Sequence, residues 1–220
     1  MKRLLLVPLI LLAGLGAFFG PASLITFEVP TATAQNIHLP MVGRQFPTLG
    51  LELHGGTIFD WTGDDLDYSP VVGPRARVGL HHIVTQRLSM NAEFSAGASY
   101  FGEHPVAPDG QGPSQIRFDW RLGLLARHFQ LGEDSGWTFA GGLNYRRAHL
   151  QEGSLIQFGP DLRLGRFLWT SDERFLIIEL AAHTPVFSGL TISDFTGEIA
   201  QTIPTEWYHP SMSLAIQWAF

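Results

Sequence analysis

The chain has 220 residues, a formal net charge of −6 and no cysteine, and 45% of its residues are hydrophobic. Without cysteine it can form neither disulfides nor a lipid-modified cysteine, and thiol chemistry is excluded. The only lysine is Lys2, so the other basic side chains are arginine and histidine. Because no basic patch lies outside the predicted strands, we predict no nucleic-acid partner.

The amino-terminal segment has the pattern of a secretory signal. Three residues that include Lys2 and Arg3 precede an uncharged, apolar stretch from Leu4 to Gly20, and Ala32-Thr33-Ala34 matches a small-x-small cleavage site. We therefore predict a signal peptide at residues 1–34 and a short periplasmic segment at 35–47, with an uncleaved anchor as the alternative. No later segment has the roughly 20 apolar residues of a membrane helix. Only a closed barrel would then allow the rest of the chain to cross a membrane.

Eight segments of the remaining chain alternate apolar with small or polar residues, which is the period of a β-strand. They are Thr48–Phe59, Arg75–Ile83, Leu88–Phe101, Gln115–Phe129, Trp137–Arg146, Ile156–Gly165, Arg174–Val186 and Ser211–Phe220. Most reach the roughly 9–11 residues of a tilted membrane strand. The connections are long and short in turn, and Phe187–Pro210 is predicted to be a long loop. We predict an all-β fold, an eight-stranded antiparallel up-and-down transmembrane β-barrel over residues 48–220.

The polar faces of these strands carry most of the charge. A soluble, lipocalin-like barrel would turn them to water, whereas a membrane barrel turns them into its lumen. Aromatic residues near the strand ends favour the membrane barrel. The inward set then holds five acids and seven arginines: Glu52, Glu93, Asp119, Asp161 and Glu179 with Arg75, Arg77, Arg117, Arg121, Arg127, Arg146 and Arg163. Since eight strands enclose just enough room for side chains, we predict a lumen filled by arginine–carboxylate pairs.

The last strand has one continuous apolar face, formed by Met212, Leu214, Ile216, Trp218 and Phe220. It resembles the C-terminal strand of bacterial outer-membrane β-barrels, where this pattern is associated with recognition by the barrel-insertion machinery. The chain as a whole is similar in architecture to the small OmpA, OmpX and OmpW-like barrels. The resemblance implies a monomer in the outer membrane of a Gram-negative-type bacterium. It also implies contact with outer-membrane lipid and lipopolysaccharide, and neither a cofactor nor a metal is predicted.

Such families imply two functions that the sequence leaves open. The first is a structural or surface-interaction role for a barrel with a charge-filled lumen. The alternative is an OmpW-like channel for small apolar molecules, which the contiguous apolar run Leu176–Ile178 slightly favours because one of its residues must face the lumen. The two functions differ in the lumen that they require. A channel for small apolar molecules needs a continuous apolar funnel, whereas the lumen of a structural barrel is crossed by charge pairs.

An enzymatic role is not predicted. Some small outer-membrane barrels, such as the PagL-type lipid A deacylases, carry a Ser/His/Glu set on the barrel wall. Here His183 is followed by Thr184 and Pro185, so the His-x-Ser pattern of that family is missing. Glu179 lies on the same face but roughly 13 Å away along the strand, too far to orient the imidazole.

Two charged features lie outside the predicted lumen. The outer loops, including Asp60–Asp67, are acidic, and their spacing does not match a calcium-binding EF-hand, so we interpret them as solvated. Arg147 falls on the lipid-facing side of the fifth strand, beside Tyr145. It either pairs with a lipopolysaccharide phosphate or extends its side chain to the membrane interface.

Overall fold

The structure is a computed structural model that describes residues 42–60, 67–102, 115–130, 135–149, 153–171, 174–193, 199–204 and 209–220. These residues form ten strands: β1 (Gln45–Asp60), β2 (Asp67–Thr85), β3 (Leu88–Phe101), β4 (Gln115–Gln130), β5 (Ser135–His149), β6 (Gly153–Ser171), β7 (Arg174–His183), β8 (Phe187–Ser193), β9 (Ile199–Pro204) and β10 (Ser211–Ala219). Within the described ranges, no helix is long and apolar enough to span a membrane. The predicted signal peptide lies outside these ranges.

Eight of the strands close into a barrel. Strands β1 to β6 pair each with the next, β6 pairs with β7, β7 with β10, and β10 with β1, all antiparallel. The β5–β6 pairing completes the ring, and β8 and β9 form a hairpin attached to β6. The predicted eight-stranded antiparallel barrel is confirmed.

The strands are steeply tilted. A path along the paired residues starts at Arg166 on β6 and runs once around the barrel through Leu51 on β1. It returns to β6 at Ile156, ten residues away from its start. With standard strand spacings, this stagger in eight strands corresponds to a tilt of about 40°.

The second strand is longer than predicted. It begins at Asp67 rather than Arg75, and its first part includes Pro70 and Pro74, which cannot donate to the ladder. Both prolines nevertheless pair with β1, and the carbonyl of Pro70 accepts a hydrogen bond of 2.8 Å from the backbone N–H of Gly102. The acceptor half of the ladder is therefore kept where the donor is missing.

The prediction that Phe187–Pro210 forms a loop is wrong, because this segment contains β8 and β9. Strand β7 ends at His183 rather than Val186, and β6 begins eight residues before its first pair with β7, at Asp161. The first part of β6 would otherwise lack a partner on that side, and β8 pairs with residues Gly153–Phe158. Strand β1 also begins earlier than predicted, at Gln45 rather than Thr48.

The core lies inside the barrel in three layers. The barrel end with the short β2–β3, β4–β5 and β6–β7 connections is called the turn end, and the opposite end the loop end. At the turn end an apolar layer is formed by Phe46, Ile83, Phe129, Phe167, Phe175, Ile177 and Ala219. At the loop end a second apolar layer is formed by Ile58, Val71, Phe101, Ala148 and Leu155. Between the two layers the buried side chains are mostly polar and charged, with Leu125 among them.

Candidate functional site

The charged layer contains six buried arginines and five buried carboxylates. We call this set the luminal network: Arg75, Arg77, Arg121, Arg127, Arg146 and Arg163 with Glu52, Glu93, Asp119, Asp161 and Glu179. Each member lies on the inward face of its strand, because every second residue of a strand points to the same side of the sheet. None is more than 4% exposed.

Asp119 is the centre of the network towards the loop end. Its carboxylate accepts hydrogen bonds from Arg75 and from Arg146, whose Nη2 lies 2.6 Å from Oδ2. Ser99 also donates to Asp119, at 2.9 Å. Arg146 in turn contacts His209, with 2.5 Å between Nη1 and Nδ1 of the imidazole. A single carboxylate thus holds two guanidinium groups from β2 and β5.

Glu52 lies in the middle of the luminal network. It accepts from three arginines, with 3.1 Å to Nη1 of Arg75, 3.0 Å to Nε of Arg77 and 2.5 Å to Nη2 of Arg121. Arg75 and Arg77 are neighbours on the inward face of β2, and each also reaches a second carboxylate, Asp119 and Glu179 respectively. The two arginines therefore link the carboxylates into one connected set rather than separate pairs.

Glu179 and Glu93 continue the network towards the turn end. Glu179 accepts from Arg77, from Arg127 at 2.7 Å and from Arg163 at 2.9 Å. Arg163 also donates to Glu93 at 2.5 Å. Through Arg77, Glu179 is thus linked to the same connected set as Glu52.

Asp161 joins the network at its edge. It accepts a hydrogen bond of 2.9 Å from Nη2 of Arg163 and one of 3.1 Å from the amide of Asn144. Arg163, on the same strand two residues along, therefore bonds three carboxylates, the largest number of any arginine in the luminal network.

The structure places each of the predicted luminal residues on an inward face. Arg117 differs from the others because it is half-buried, near the loop end of β4, outside the fully buried layer. The residues predicted for barrel assembly lie on the opposite, outward face: Met212, Leu214, Ile216 and Trp218 on β10, and Phe220 directly after it. Strand β10 closes the barrel between β1 and β7.

Several buried polar residues of the lumen lie beside the arginines and carboxylates of the luminal network. His54 and His81 point inwards from β1 and β2, and Nδ1 of His183 donates a hydrogen bond of 3.1 Å to the carbonyl oxygen of Pro160. His209 precedes β10 and enters the lumen above Gly56, where a Cβ atom would lie 2.7 Å from the imidazole. The alternation of the strands predicts His54 and His81 on the luminal face, where both lie, whereas His209 lies in a segment that was predicted to be a loop.

A Ser–His–Asp grouping lies within the network but lacks the arrangement of a catalytic triad. Nε2 of His54 lies 3.2 Å from Oγ of Ser99, yet Ser99 donates to Asp119, and the same Nε2 is the atom that faces Asp119, at 3.8 Å. In a triad the acid binds Nδ1 while Nε2 faces the serine. Here Nδ1 of His54 is buried without a partner, and Arg146 occupies the carboxylate.

A metal site would need several ligands among the described side chains. Among them, no group of three or more His, Asp or Glu side chains is arranged to hold a metal ion. The carboxylates of the luminal network, which would be the natural ligands, each bind arginine.

The outward face of the barrel is apolar. Large hydrophobic side chains are exposed on every barrel strand, including Leu51 at 67%, Leu124 at 61% and Leu162 at 65%. Within the described side chains, all five carboxylates are luminal. A surface that is apolar outside and charged inside is the reverse of a soluble protein, and it is the arrangement of a transmembrane barrel.

These features define the class of protein, an integral eight-stranded β-barrel of the outer-membrane type. No family model matches the sequence, and no curated protein does either. Among solved structures, the chain is similar to the outer membrane protein OprG from Pseudomonas aeruginosa, with a TM-score of 0.51 and 9% identity over 82% of this chain and 99% of that one. At this identity the likeness shows the fold, which is the predicted one.

Two further solved structures have lower scores. The outer membrane protein AlkL has a TM-score of 0.48 and 12% identity, covering 80% of this chain and 91% of its own. Neisserial surface protein A has a TM-score of 0.47 and 11% identity, covering 78% of this chain and 95% of its own.

Proposed function

We propose that the protein is a closed barrel in the outer membrane of a Gram-negative-type bacterium, with a structural or surface-interaction role. The observation that carries this proposal is the luminal network, which crosses the barrel and is covered by an apolar layer at each end. The interior of an eight-stranded barrel is just wide enough for its own side chains to fill. With these side chains bonded to one another, an ion has no free path along the axis.

The network supports closure because its members are held in place. Each of its arginines is bonded to at least one carboxylate, and by hydrogen bonds Arg77 holds two of them and Arg163 three. Removing one partner from a buried ion pair costs about 3–5 kcal/mol. An entering ion would have to break several such bonds at once, so the network acts as a plug rather than as a selectivity filter.

The alternative, a channel for small apolar molecules, is less well supported. Its requirement is a continuous apolar path, whereas the two apolar layers are separated by eleven buried charged side chains. Ile177, the inward residue of the run Leu176–Ile178, belongs to the apolar layer at the turn end. It completes that layer and does not extend an apolar path into the middle of the barrel.

We also propose that the protein is not an enzyme. Ser99, His54 and Asp119 are at most 1% exposed, so a substrate could not reach them without displacing the network. Glu179 is bonded to three arginines and does not contact His183 in the way that a base-orienting acid would.

Planar-bilayer conductance tests the proposal. Refolded wild-type protein, checked for heat-modifiable gel migration, should show no stable conductance in concentrated KCl. A Glu52→Ala/Arg77→Ala variant, which removes the middle of the network, should conduct measurably, because both side chains cross the lumen. Leu51→Ala, which changes the outward face of the same strand, is the matched control and should remain closed. A wild type that conducts at the level of the double variant would contradict the proposal.

A further inference from the structure

Two arginines mark opposite ends of the lipid-facing wall on the neighbouring strands β5 and β6. Arg147 lies directly across from Ile156, and Arg166 lies ten residues further along β6. With a rise of about 3.3 Å per residue and a tilt of about 40°, their separation along the barrel axis is roughly 22 Å. The apolar band of an outer-membrane barrel is about 25 Å tall. Arg147 therefore reaches one membrane interface, at the loop end, and Arg166 the other.

The wall between these two arginines carries no charge. The outward residues of β6 in this interval are Phe158, Pro160, Leu162 and Leu164, and Leu162 is 65% exposed. A bilayer whose hydrocarbon covers this stretch has its headgroups at the depth of the two guanidinium groups.

Arg166 has its contacts within the protein. Its Nη2 donates to Oγ of Ser135 at 3.0 Å, and its guanidinium lies 5.6 Å from the ring centroid of Trp137, the residue directly across from it on β5. A cation over a tryptophan face is stabilised by the ring quadrupole.

Arg147 differs from Arg166 in this respect. No hydrogen bond or ion pair joins it to another described residue, and its Nε is buried without an acceptor. It is half-buried between Tyr145 and His149 on its own strand and lies across from Trp120. Trp120 and Tyr145 contact each other with 5.3 Å between ring centroids, so the arginine stands beside an aromatic platform.

The acceptor that Arg147 lacks is not on the described part of the wall. Each carboxylate side chain that the structure describes points into the lumen, and the neighbouring His149 adds a second nitrogen-bearing side chain rather than an acid. A guanidinium without an acceptor at the edge of hydrocarbon is unfavourable. Loops are long on the outer side of such barrels and short on the periplasmic side, so Arg147 lies in the outer leaflet.

We propose that Arg147, with Trp120, Tyr145 and His149 around it, binds a phosphate group of an outer-leaflet glycolipid such as lipid A. This inference rests on the proposed outer-membrane location. The planar guanidinium forms two parallel hydrogen bonds with phosphate oxygens, a geometry that lysine cannot provide. The aromatic side chains contact the sugar and upper acyl region, where amphipathic rings are favoured.

The test is native mass spectrometry of the purified, folded barrel with two probes, diphosphoryl lipid A and its dephosphorylated form. Wild type should bind the diphosphoryl form about tenfold more tightly, which is the value of one charged hydrogen-bonded contact. Arg147→Gln should abolish this preference, and Arg147→Lys should restore part of it. Arg166→Gln, at the opposite interface, is the matched control and should keep the preference.

The possible outcomes separate this inference from the proposed function. If Arg147→Gln keeps the full preference, or if wild type binds the two lipids equally, the phosphate site is wrong. If Arg147→Gln weakens the binding of both lipids equally, the residue contacts acyl or sugar groups and the inference is also overturned. None of these results changes the conductance of the barrel, and a conducting wild type would contradict the closed lumen without affecting lipid binding.

Discussion

Substitution of Glu52 by glutamine tests whether the luminal network stabilises the barrel through shared charge. Glu52 is 2% exposed and accepts hydrogen bonds from Arg75, Arg77 and Arg121. Glutamine has nearly the same shape, but it has no charge and only one acceptor oxygen. The lumen already holds six buried arginines against five carboxylates, so the variant would leave six against four.

The expected cost follows from what each arginine retains. Arg75 still has Asp119 and Arg77 still has Glu179, but Arg121 loses the carboxylate that it bonds. Leaving a buried charge uncompensated costs about 3–5 kcal/mol, and we expect Glu52→Gln to lower the free energy of unfolding by this amount. Arg121→Met removes the charge that is in excess and leaves Glu52 with two arginines, so its cost should be at most about 2 kcal/mol.

Urea unfolding of the protein in lipid vesicles, followed by tryptophan fluorescence, measures these free energies. The double variant Glu52→Gln/Arg121→Met should be more stable than Glu52→Gln alone, with a coupling of about 1–3 kcal/mol. The reasoning is refuted if Arg121→Met costs as much as Glu52→Gln, or if the two costs simply add. Either result would mean that the carboxylate acts through its shape and not through its charge.

Three further expectations concern the wall and the network. Gly142→Ala should lower the free energy of unfolding by about 1–3 kcal/mol, because the new Cβ would lie 1.9 Å from a backbone carbonyl oxygen. The adjacent Gly141→Ala, whose Cβ would lie 3.5 Å from its nearest neighbour, should be near neutral in the same urea assay. Leu51→Arg, on the outward wall, should cost about 2–4 kcal/mol in vesicles, and Val42→Arg, which precedes β1, close to nothing. Arg77→Lys keeps the charge but cannot bond Glu52 and Glu179 as a planar fork, so it should lose about 1.5–3 kcal/mol, and an unchanged stability would show that charge alone suffices.

Strand bounds were predicted well where apolar and polar residues alternate along the whole strand. In β3 the predicted and observed bounds agree at Leu88 and Phe101, because alternation continues without a proline from one end to the other. Alternation failed as a guide in β2, where Pro70 and Pro74 stand on the outward face and still accept hydrogen bonds or pair with β1. Strands β8 and β9 were missed because they are short, and a strand of six or seven residues has too few periods to be recognised.

The lumen was predictable in its residue types but not in its layers. Strand period places Glu52, Arg77 and Glu179 on the inward face, yet period alone does not say which side chains meet. The stagger between strands decides this, since it brings Glu179 of β7 to Arg77 of β2 across the barrel. The apolar layers that cover the charges at each end depend on the same stagger and were not predicted.

The choice of arginine over lysine explains how so many charges fit into a small lumen. A guanidinium can donate in two or three directions in one plane, and this protein uses that property: Arg75 joins Asp119 to Glu52, and Arg77 joins Glu52 to Glu179. Each of these bridges bonds one guanidinium to two carboxylates. Lysine, as a compact point charge, lacks the planar fork that bonds carboxylates in this geometry. Because bonds such as Arg77–Glu179 join strands that are not neighbours, they also fix the barrel's cross-section, so the same bonds that compensate the buried charges keep the lumen closed.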